Sequence, residues 1–228
     1  MRGIHTELHH QLFQTTKIMK VVYLGTDRYY SRQASKIIQS MPCQLLVNHT
    51  KNIKFVEFPQ KYDLGIALGY MHLIEKKELN KAIWLNIHPA PLPEYGGRNI
   101  AYHAILNGAS EFGATLHYMD EYFDKGNIIA LEKFEIPEAT TAKELYDMSS
   151  QASLRLFKKY IPKFLAREKI NSKKQTNHIY YKHKTINNFI DVSDNVKRRI
   201  CATYFPPHFP KIKIGGKNFR IILDDEKQ

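Results

Sequence analysis

Short apolar runs that alternate with helical segments set the strongest limit on how this chain can fold. The first run, residues 20–24, is followed at once by Gly25 and Asp27, which close a buried strand with a loop. Further strand signals lie at residues 44–47, 64–68 and 83–87, and helical patterns at residues 32–39 and 76–79. Strands alternating with helices at this spacing predict a mostly parallel, twisted sheet with helices on both faces.

The pattern changes in the second half of the chain. Apolar stretches at residues 112–119 and 127–134 lie only a few residues apart, which predicts neighbouring strands. Thr141 and Glu144 have the spacing of a capping box and predict the start of a long helix. We expect Pro162 to kink or end that helix, because proline lacks the backbone N–H that a helix interior uses.

The last part of the chain predicts a small appendage. Residues 171–175 are polar and basic, as in a linker, and residues 193–202 form an amphipathic segment. A hairpin follows, in which Gly215-Gly216 joins residues 211–214 to 218–222. We therefore predict three parts: a leader at 1–18, a Rossmann-like α/β domain at 19–166, and an α+β appendage at 167–228 that ends in the hairpin.

Composition narrows the class of protein and its partners. Hydrophobic residues make up 43% and charged residues 25% of the 228 residues, as in ordinary globular proteins. The net charge of +12 indicates an anionic partner without choosing among nucleic acid, membrane surface and phosphorylated substrate. Two cysteines are too few for a disulfide scaffold, and neither a membrane-length apolar run nor a secretory signal is present. These features favour a cytoplasmic protein.

The polar residues that could carry chemistry lie on the fourth and fifth predicted strands and in the turn after the fifth. Asn86 and His88 share one face of their strand and stand at its carboxyl end, just before a proline-rich loop. Open parallel sheets bind ligands at this edge. Thr115 and His117 share a face of the next strand, and Asp124 lies in the turn that follows it.

An amide donor, an imidazole and a carboxylate suit acyl transfer, in which an oxyanion is stabilised and a proton is moved. The residue pattern alone is equally compatible with Asn86 capping the loop, His88 being a hydrogen-bonded core histidine and Asp124 being a turn residue. A metal site made by His88, His117 and Asp124 is a third alternative, although no local His or Cys pair supports it.

Three sequence blocks resemble one known family. Residues 86–108 have the pattern Asn-x-His-Pro-x-x-Leu-Pro-x-Tyr followed by Asn-Gly, residues 115–126 end in Asp-x-Gly, and residues 63–74 match the strand and loop of a folate pocket. In this order and spacing the blocks resemble the 10-formyltetrahydrofolate-dependent formyltransferases. The resemblance extends from about residue 20 to residue 166.

The resemblance implies a mechanism in which an amine attacks the formyl carbon. Asn86 would donate to the oxyanion, and His88 would stabilise it or relay a proton. Asp124 would bias the imidazole and accept a proton, and Thr115 and His117 would support these three. No metal is implied.

The resemblance also implies binding residues. The folate pterin would lie against two segments, represented by Gly69, Tyr70, Met71, Leu73, Glu121, Tyr122 and Phe123. The family's usual Tyr-Arg-Gly is replaced here by Tyr95-Gly-Gly-Arg98, so Arg98 would approach the substrate from a shifted position.

The tail suggests the acceptor. Only 62 residues follow Ala166, fewer than in the RNA-binding barrel of methionyl-tRNA formyltransferases, whereas glycinamide ribonucleotide formyltransferases lack such a tail. It resembles formyltransferases of nucleotide-linked amino sugars, often deoxythymidine-diphospho sugars destined for surface polysaccharide such as the lipopolysaccharide O-antigen.

On this interpretation the protein is a homodimer that binds neither membrane nor nucleic acid, and Tyr95, Arg98, Tyr181, Lys182 and Phe205 contact the substrate. The tail aromatics could instead form a small core under the hairpin. A basic nucleic-acid-binding module is a remote alternative that only the net charge supports.

Overall fold

The computed structural model of the protein describes residues 17–182, 189–190, 195–214 and 216–223. Its helices are α1 Tyr29–Gln39, α2 Lys76–Leu79, α3 Ile100–Leu106, α4 Ala142–Leu165 and α5 Val196–Thr203. Its strands are β1 Lys20–Gly25, β2 Gln44–His49, β3 Leu64–Leu68, β4 Ile83–His88, β5 Gly96–Gly97, β6 Glu111–Tyr118, β7 Ile128–Glu135, β8 Tyr180–Tyr181, β9 Phe189–Ile190, β10 Lys211–Ile214 and β11 Lys217–Arg220.

A six-stranded sheet in the order β2-β1-β3-β4-β6-β7 forms the centre of the molecule. Strands β1 to β4 are parallel, and β6 and β7 are added antiparallel. The predicted mostly parallel Rossmann-like sheet is confirmed. The chain passes from β1 to β2 on one side and then to β3 on the other, which opens a crevice at the carboxyl ends of β1 and β3.

Alternating apolar residues cover the two faces of this sheet differently. On one face Tyr23 and Leu85 pack against α1 and α4. On the other, Val22 and Leu24 pack with Tyr62, Trp84 and neighbouring aromatic residues. This second face is covered by a largely irregular segment and the single turn α2, because the sequence between β2 and β3 has no helical periodicity. The flanking helices are thus confirmed, and residues 76–79 form the short helical turn that the sequence predicts.

Helix α4 begins where the sequence predicts and continues past Pro162. The Thr141 hydroxyl accepts from the Glu144 N–H at 3.2 Å, and the Glu144 carboxylate accepts from the Thr141 N–H at 2.7 Å. Pro162 does not end the helix, since α4 continues to Leu165, and a kink at Pro162 stays a prediction. Pro162 opens the last helical turn, where its missing N–H removes one hydrogen bond and no further turn depends on it.

The segment expected to be a linker is bound to the central sheet, and the residues after it pair with β5. Lys173 forms an antiparallel bridge with Ile128, and β8 pairs with β5. We call residues 173–181 the strap. The predicted domain boundary at residue 166 stays a prediction.

The predicted hairpin is confirmed with a shifted second strand. Ile214 pairs with Lys217, so β11 lies at Lys217–Arg220 rather than at residues 218–222. Gly215 lies outside the described residues, as do most of the predicted leader at 1–18 and the start of the amphipathic segment. None of the helices in the described part of the chain has the length and apolar character that crossing a membrane requires.

Candidate active site

A cleft of about 640 Å³ runs along the carboxyl ends of β1, β3 and β4. Asn86, His88 and Asp124 all line it, together with Gly69, Arg98 and other residues named below. The sheet register explains the convergence, because β4 and β6 are antiparallel neighbours that place Asn86 opposite His117 and His88 opposite Thr115. The sheet register thus brings the residues singled out in the sequence into one cleft, and their catalytic roles stay a prediction.

The Asn86 amide is oriented by His117. Its Nδ2 lies 3.0 Å from His117 Nε2, and His117 Nδ1 lies 2.7 Å from the Tyr118 carbonyl oxygen. Since a carbonyl can only accept, Nδ1 carries the proton and Nε2 accepts from Asn86. Burial lowers the pKa of His117, with the nearby Asp124 charge opposing this effect. The buried imidazole is thus neutral and fixes which way the amide points.

His88 and Asp124 form a close pair in the cleft wall. His88 Nδ1 lies 3.5 Å from Asp124 Oδ1, and His88 Nε2 donates to the Tyr95 carbonyl oxygen at 2.7 Å. Because Nε2 already carries a proton, only a proton on Nδ1 or on the carboxyl group makes this pair attractive. A role of this pair in proton transfer stays a prediction.

Asp124 is held in an unusual backbone conformation. Its φ is +57°, in the left-handed region that side-chain-bearing residues seldom adopt. Asp124 Oδ2 accepts from the Gly97 N–H at 2.9 Å, and Gln175 Nε2 donates to the Asp124 and Gly126 carbonyl oxygens at 2.9 and 2.6 Å. The strap thus fastens the turn that presents the carboxylate.

Thr115 hydrogen-bonds the loop that follows β4. Its hydroxyl donates to the Ala90 carbonyl oxygen at 2.7 Å and accepts from the Leu92 N–H at 2.9 Å. Both bonds are buried and hold the proline-rich loop after β4. Thr115 therefore positions that loop, whereas the His117 side chain contacts the Asn86 amide.

Four of the seven residues expected to bind folate lie in the cleft lining, and three do not. Gly69, Tyr70, Met71 and Phe123 line the cleft. Leu73, Glu121 and Tyr122 do not, and Glu121 instead pairs with Lys76 at 3.2 Å on the surface. Gly69 has φ of +74°, and a Cβ there would lie 2.5 Å from the Tyr30 hydroxyl. A larger residue would thus be both strained and obstructed.

The residues expected to bind the acceptor are divided as well. Arg98 and Phe205 line the cleft, whereas Tyr95, Tyr181 and Lys182 do not. The Tyr181 ring is stacked between Tyr95 and His103, with ring centroids 5.8 and 4.2 Å away. Tyr181 thus fastens the appendage to α3, and these contacts are not with the hairpin under which the alternative placed a small aromatic core.

Several lining residues were missed by the sequence analysis. Those with polar side chains are Arg28, Tyr30, Asn99, Tyr102, Tyr146, Tyr180, Thr203 and His208. Arg28 could have been found, because it closes the loop after β1 at the switch point of the sheet. Tyr146 and His208 come from distant elements, and no local signal places them here.

The alternative metal site has no geometric support. Within the described ranges, no group of three His, Cys, Asp or Glu side chains is arranged to hold a metal ion. The cleft presents amide, imidazole, carboxylate and aromatic groups, which suit an organic ligand.

Comparison with known proteins decides the family. The protein family described as "Formyl transferase" matches residues 32–161. The GDP-perosamine N-formyltransferase of Brucella melitensis is 30% identical over 176 residues, covering 74% of this chain and 68% of that protein. This chain belongs to the formyl transferase family. The resemblance expected from the sequence blocks is thereby confirmed, and the protein is an enzyme of that family.

Other relatives of this formyl transferase have names that give a different acceptor. The methionyl-tRNA formyltransferase of a Wolbachia pipientis strain from Culex pipiens is 30% identical over 173 residues. That match covers 74% of this chain but only 56% of the relative, so this chain spans little more than half its length.

Solved structures show the same fold. A 4-N formyltransferase from Francisella tularensis has a TM-score of 0.78 at 23% identity, covering 90% of this chain and 97% of that one. An N-formyltransferase from Helicobacter canadensis, solved with folinic acid and dTDP-3-aminofucose, has a TM-score of 0.72 at 23% identity, covering 87% and 85%.

Proposed function

We propose that this formyl transferase moves the formyl group of 10-formyltetrahydrofolate to the amine of a nucleotide-linked amino sugar. The observation that carries the proposal is the convergence of Asn86, His88 and Asp124 in one cleft with a neutral His117 behind them. The printed names of relatives add support, since they include a GDP-perosamine N-formyltransferase and a structure with folinic acid and an amino sugar nucleotide.

The geometry suits attack by an amine on the formyl carbon. A new N–C bond forms, the formyl oxygen gains negative charge, and the bond from carbon to the folate nitrogen then breaks. One N–H of Asn86 is used by His117, and the second points towards Asp124 at a long 3.4 Å. That weakly held second N–H is the donor we assign to the oxyanion.

The proton leaving the amine is assigned to Asp124 and His88. Asp124 Oδ1 lies within 3.4–3.9 Å of nitrogen atoms on Asn86, His88 and His117, so it can accept the proton while remaining oriented. His88 Nδ1 is its neighbour and returns a proton to the departing folate nitrogen. We place the pterin beside Gly69, Tyr70, Met71 and Phe123, which line the cleft.

A methionyl-tRNA acceptor is the second candidate. It is favoured by relatives with that name and by the net charge of +12. Against it, the appendage supplies Tyr180, Phe205 and His208 to the cleft wall, which fits a small acceptor enclosed between the sheet and the tail.

The experiment is a screen of the purified protein with 10-formyltetrahydrofolate against amino sugars linked to deoxythymidine, uridine and guanosine diphosphates. We expect one acceptor to gain the mass of one formyl group. Asn86→Ala is the negative control. Charged initiator tRNA is the competing arm, and its formylation should fall steeply with salt because many phosphates would be contacted. Formylation of tRNA and of no sugar would replace the first candidate with the second.

We further propose that the enzyme is a cytoplasmic homodimer that supplies surface polysaccharide synthesis, such as that of an O-antigen. Cys43 and Cys201 are both free thiols, in keeping with a reducing compartment.

A further inference from the structure

One end of the cleft lies at the start of α1, and we call it the α1 end. It contains polar groups that have no role in the formyl transfer steps proposed above. Arg28, Tyr30 and Tyr146 all line the cleft there. The strands β1 and β4 lie on either side of β3, so β1, which leads into this end, is about 10 Å from the strand that carries Asn86, given the usual spacing of neighbouring strands. It is close enough to contact another part of the same acceptor.

Two hydroxyl groups at this end are buried without partners. The Tyr30 side chain is 2% exposed, and neither its hydroxyl nor that of Thr26, also 2% exposed, has a hydrogen bond. Both lie next to Gly69, where a built Cβ would meet them at 2.5 and 3.2 Å. Buried polar groups are nearly always paired, and Tyr30 lines the cleft, so a ligand oxygen bound there would give its hydroxyl a partner.

The charged group at this end has donors to spare. Arg28 Nη1 donates to the Tyr146 hydroxyl at 2.8 Å, and the guanidinium also stands 5.3 Å from the centre of that ring. No ion pair among the described residues includes Arg28. An arginine has five N–H donors, so most of those of Arg28 remain for an anion.

Helix α1 adds a second source of positive potential. The helix has 11 residues, Arg28 is its N-cap, and its first turn contains no acidic residue. Its N-terminal end carries partial positive charge and unpaired N–H groups. Together with the unpaired Tyr30 hydroxyl, this makes the α1 end of the cleft complementary to a phosphate group.

We infer that Arg28, Tyr30 and Tyr146 bind a phosphate of the acceptor's nucleoside diphosphate. This inference rests on the proposed function and extends it. In such an acceptor a pyranose ring separates the diphosphate from the amine, which agrees with the separation between Arg28 and Asn86. Tyr146 and Phe205, whose ring centroids are 5.6 Å apart, form an aromatic surface next to the phosphate for the nucleoside.

The test measures binding without catalysis. Thymidine, uridine and guanosine 5′-diphosphates are titrated calorimetrically into the wild-type protein, and the tightest is used with the variants. Arg28→Gln should weaken its binding about tenfold or more, the scale of a lost charge-assisted hydrogen bond. Tyr30→Phe should weaken it severalfold.

The matched control is Arg32→Gln, which removes the same charge from an exposed position of the same helix outside the cleft lining. It should bind the diphosphate like the wild type. Thermal melting of every variant checks folding, and the uncharged nucleoside should bind Arg28→Gln and the wild type equally.

Folinic acid titration separates the two sources of anion, since the glutamyl carboxylates of the donor could also meet Arg28. Arg28→Gln should leave folinic acid affinity unchanged. The inference is overturned if that variant binds the diphosphate like the wild type, if it loses folinic acid affinity instead, or if no diphosphate binds the wild type. Failure of the wild type to formylate any amino sugar nucleotide would instead overturn the proposed function.

Discussion

At the scale of single residues, the hydrogen bonds around Asn86 decide what the site can do. His117 holds one amide N–H and leaves the other on the cleft side, close to Asp124. This arrangement depends on a neutral imidazole, because a protonated Nε2 would have to donate to an amide nitrogen that cannot accept. The buried histidine therefore orients the amide that we propose as the oxyanion donor.

We expect Asn86→Ala, His88→Ala and Asp124→Asn each to reduce turnover by about 10²–10³ or more, the usual effect of losing one oxyanion donor or proton carrier. Asparagine tolerates the left-handed backbone at residue 124, so the last variant removes charge without adding strain. Initial rates and melting curves check the expectation. Asp120→Asn removes a neighbouring carboxylate outside the cleft lining and should keep wild-type rates. Well-folded variants with more than about a tenth of wild-type activity would refute these roles.

His117 should also make stability depend on pH. Burial lowers its pKa, so the unfolded chain takes up the proton first as pH falls below the ordinary value of about 6.5. Its contribution is thus present above that pH and is lost as the pH decreases further. Urea unfolding between about pH 5 and 7.5 should show a smaller slope for His117→Asn, which keeps the donor to the Tyr118 carbonyl.

The control for this slope is His49→Asn, on the edge strand β2. That variant should follow the wild-type pH dependence. Equal slopes for wild type and His117→Asn would show that His117 is not the buried neutral group that the geometry indicates.

At the scale of elements, the sequence predicted those parts whose signal is local. The capping box at Thr141 fixed the start of α4, and the short apolar runs located β1 to β4. Helix α1 begins three residues earlier than expected, at Tyr29, because its N-cap Arg28 makes no side-chain capping bond that could be read from the sequence. The role of residues 173–175 was misread, because pairing with Ile128 depends on contacts distant in sequence.

The strap gives a prediction at this scale. Gln175 donates to the carbonyl oxygens of Asp124 and Gly126, so it stabilises the left-handed turn that presents the carboxylate. Gln175→Glu keeps the size but replaces the donor with a negatively charged acceptor next to two carbonyl oxygens. We expect kcat to fall about tenfold while KM for the folate changes little, as when a transition-state interaction is weakened.

Steady-state kinetics of Gln175→Glu and of the control Lys174→Ala check this expectation. Lys174 is exposed and adjacent in the strap, so its removal should leave both constants unchanged. A change in KM alone for Gln175→Glu would mean that the strap shapes the binding site and not the position of Asp124.

At the scale of the whole molecule, the strap and α5 join the appendage to the rest of the protein. The strap pairs with β5 and β7, and α5 packs against α3 through Ala202 and its neighbours. The hairpin at the end is different. It belongs to a separate three-stranded sheet in the order β11-β10-β9, with β11 at the edge.

The hairpin and the residues just after it expose apolar side chains that a monomer leaves in water. Phe219, Ile222 and Leu223 are 48%, 40% and 37% exposed, and small isolated ribbons of strands are marginally stable. An edge strand with such residues is suited to pairing with another chain. We therefore expect a homodimer that buries the two hairpins against each other, and Phe219→Lys should convert it to a monomer.

Phe55→Lys is the control, because Phe55 is 85% exposed but far from the hairpin in sequence. Light scattering at micromolar concentration measures the mass of each protein. If the wild type is monomeric there, or if Phe55→Lys dissociates it as well as Phe219→Lys, the hairpin is not the dimer interface.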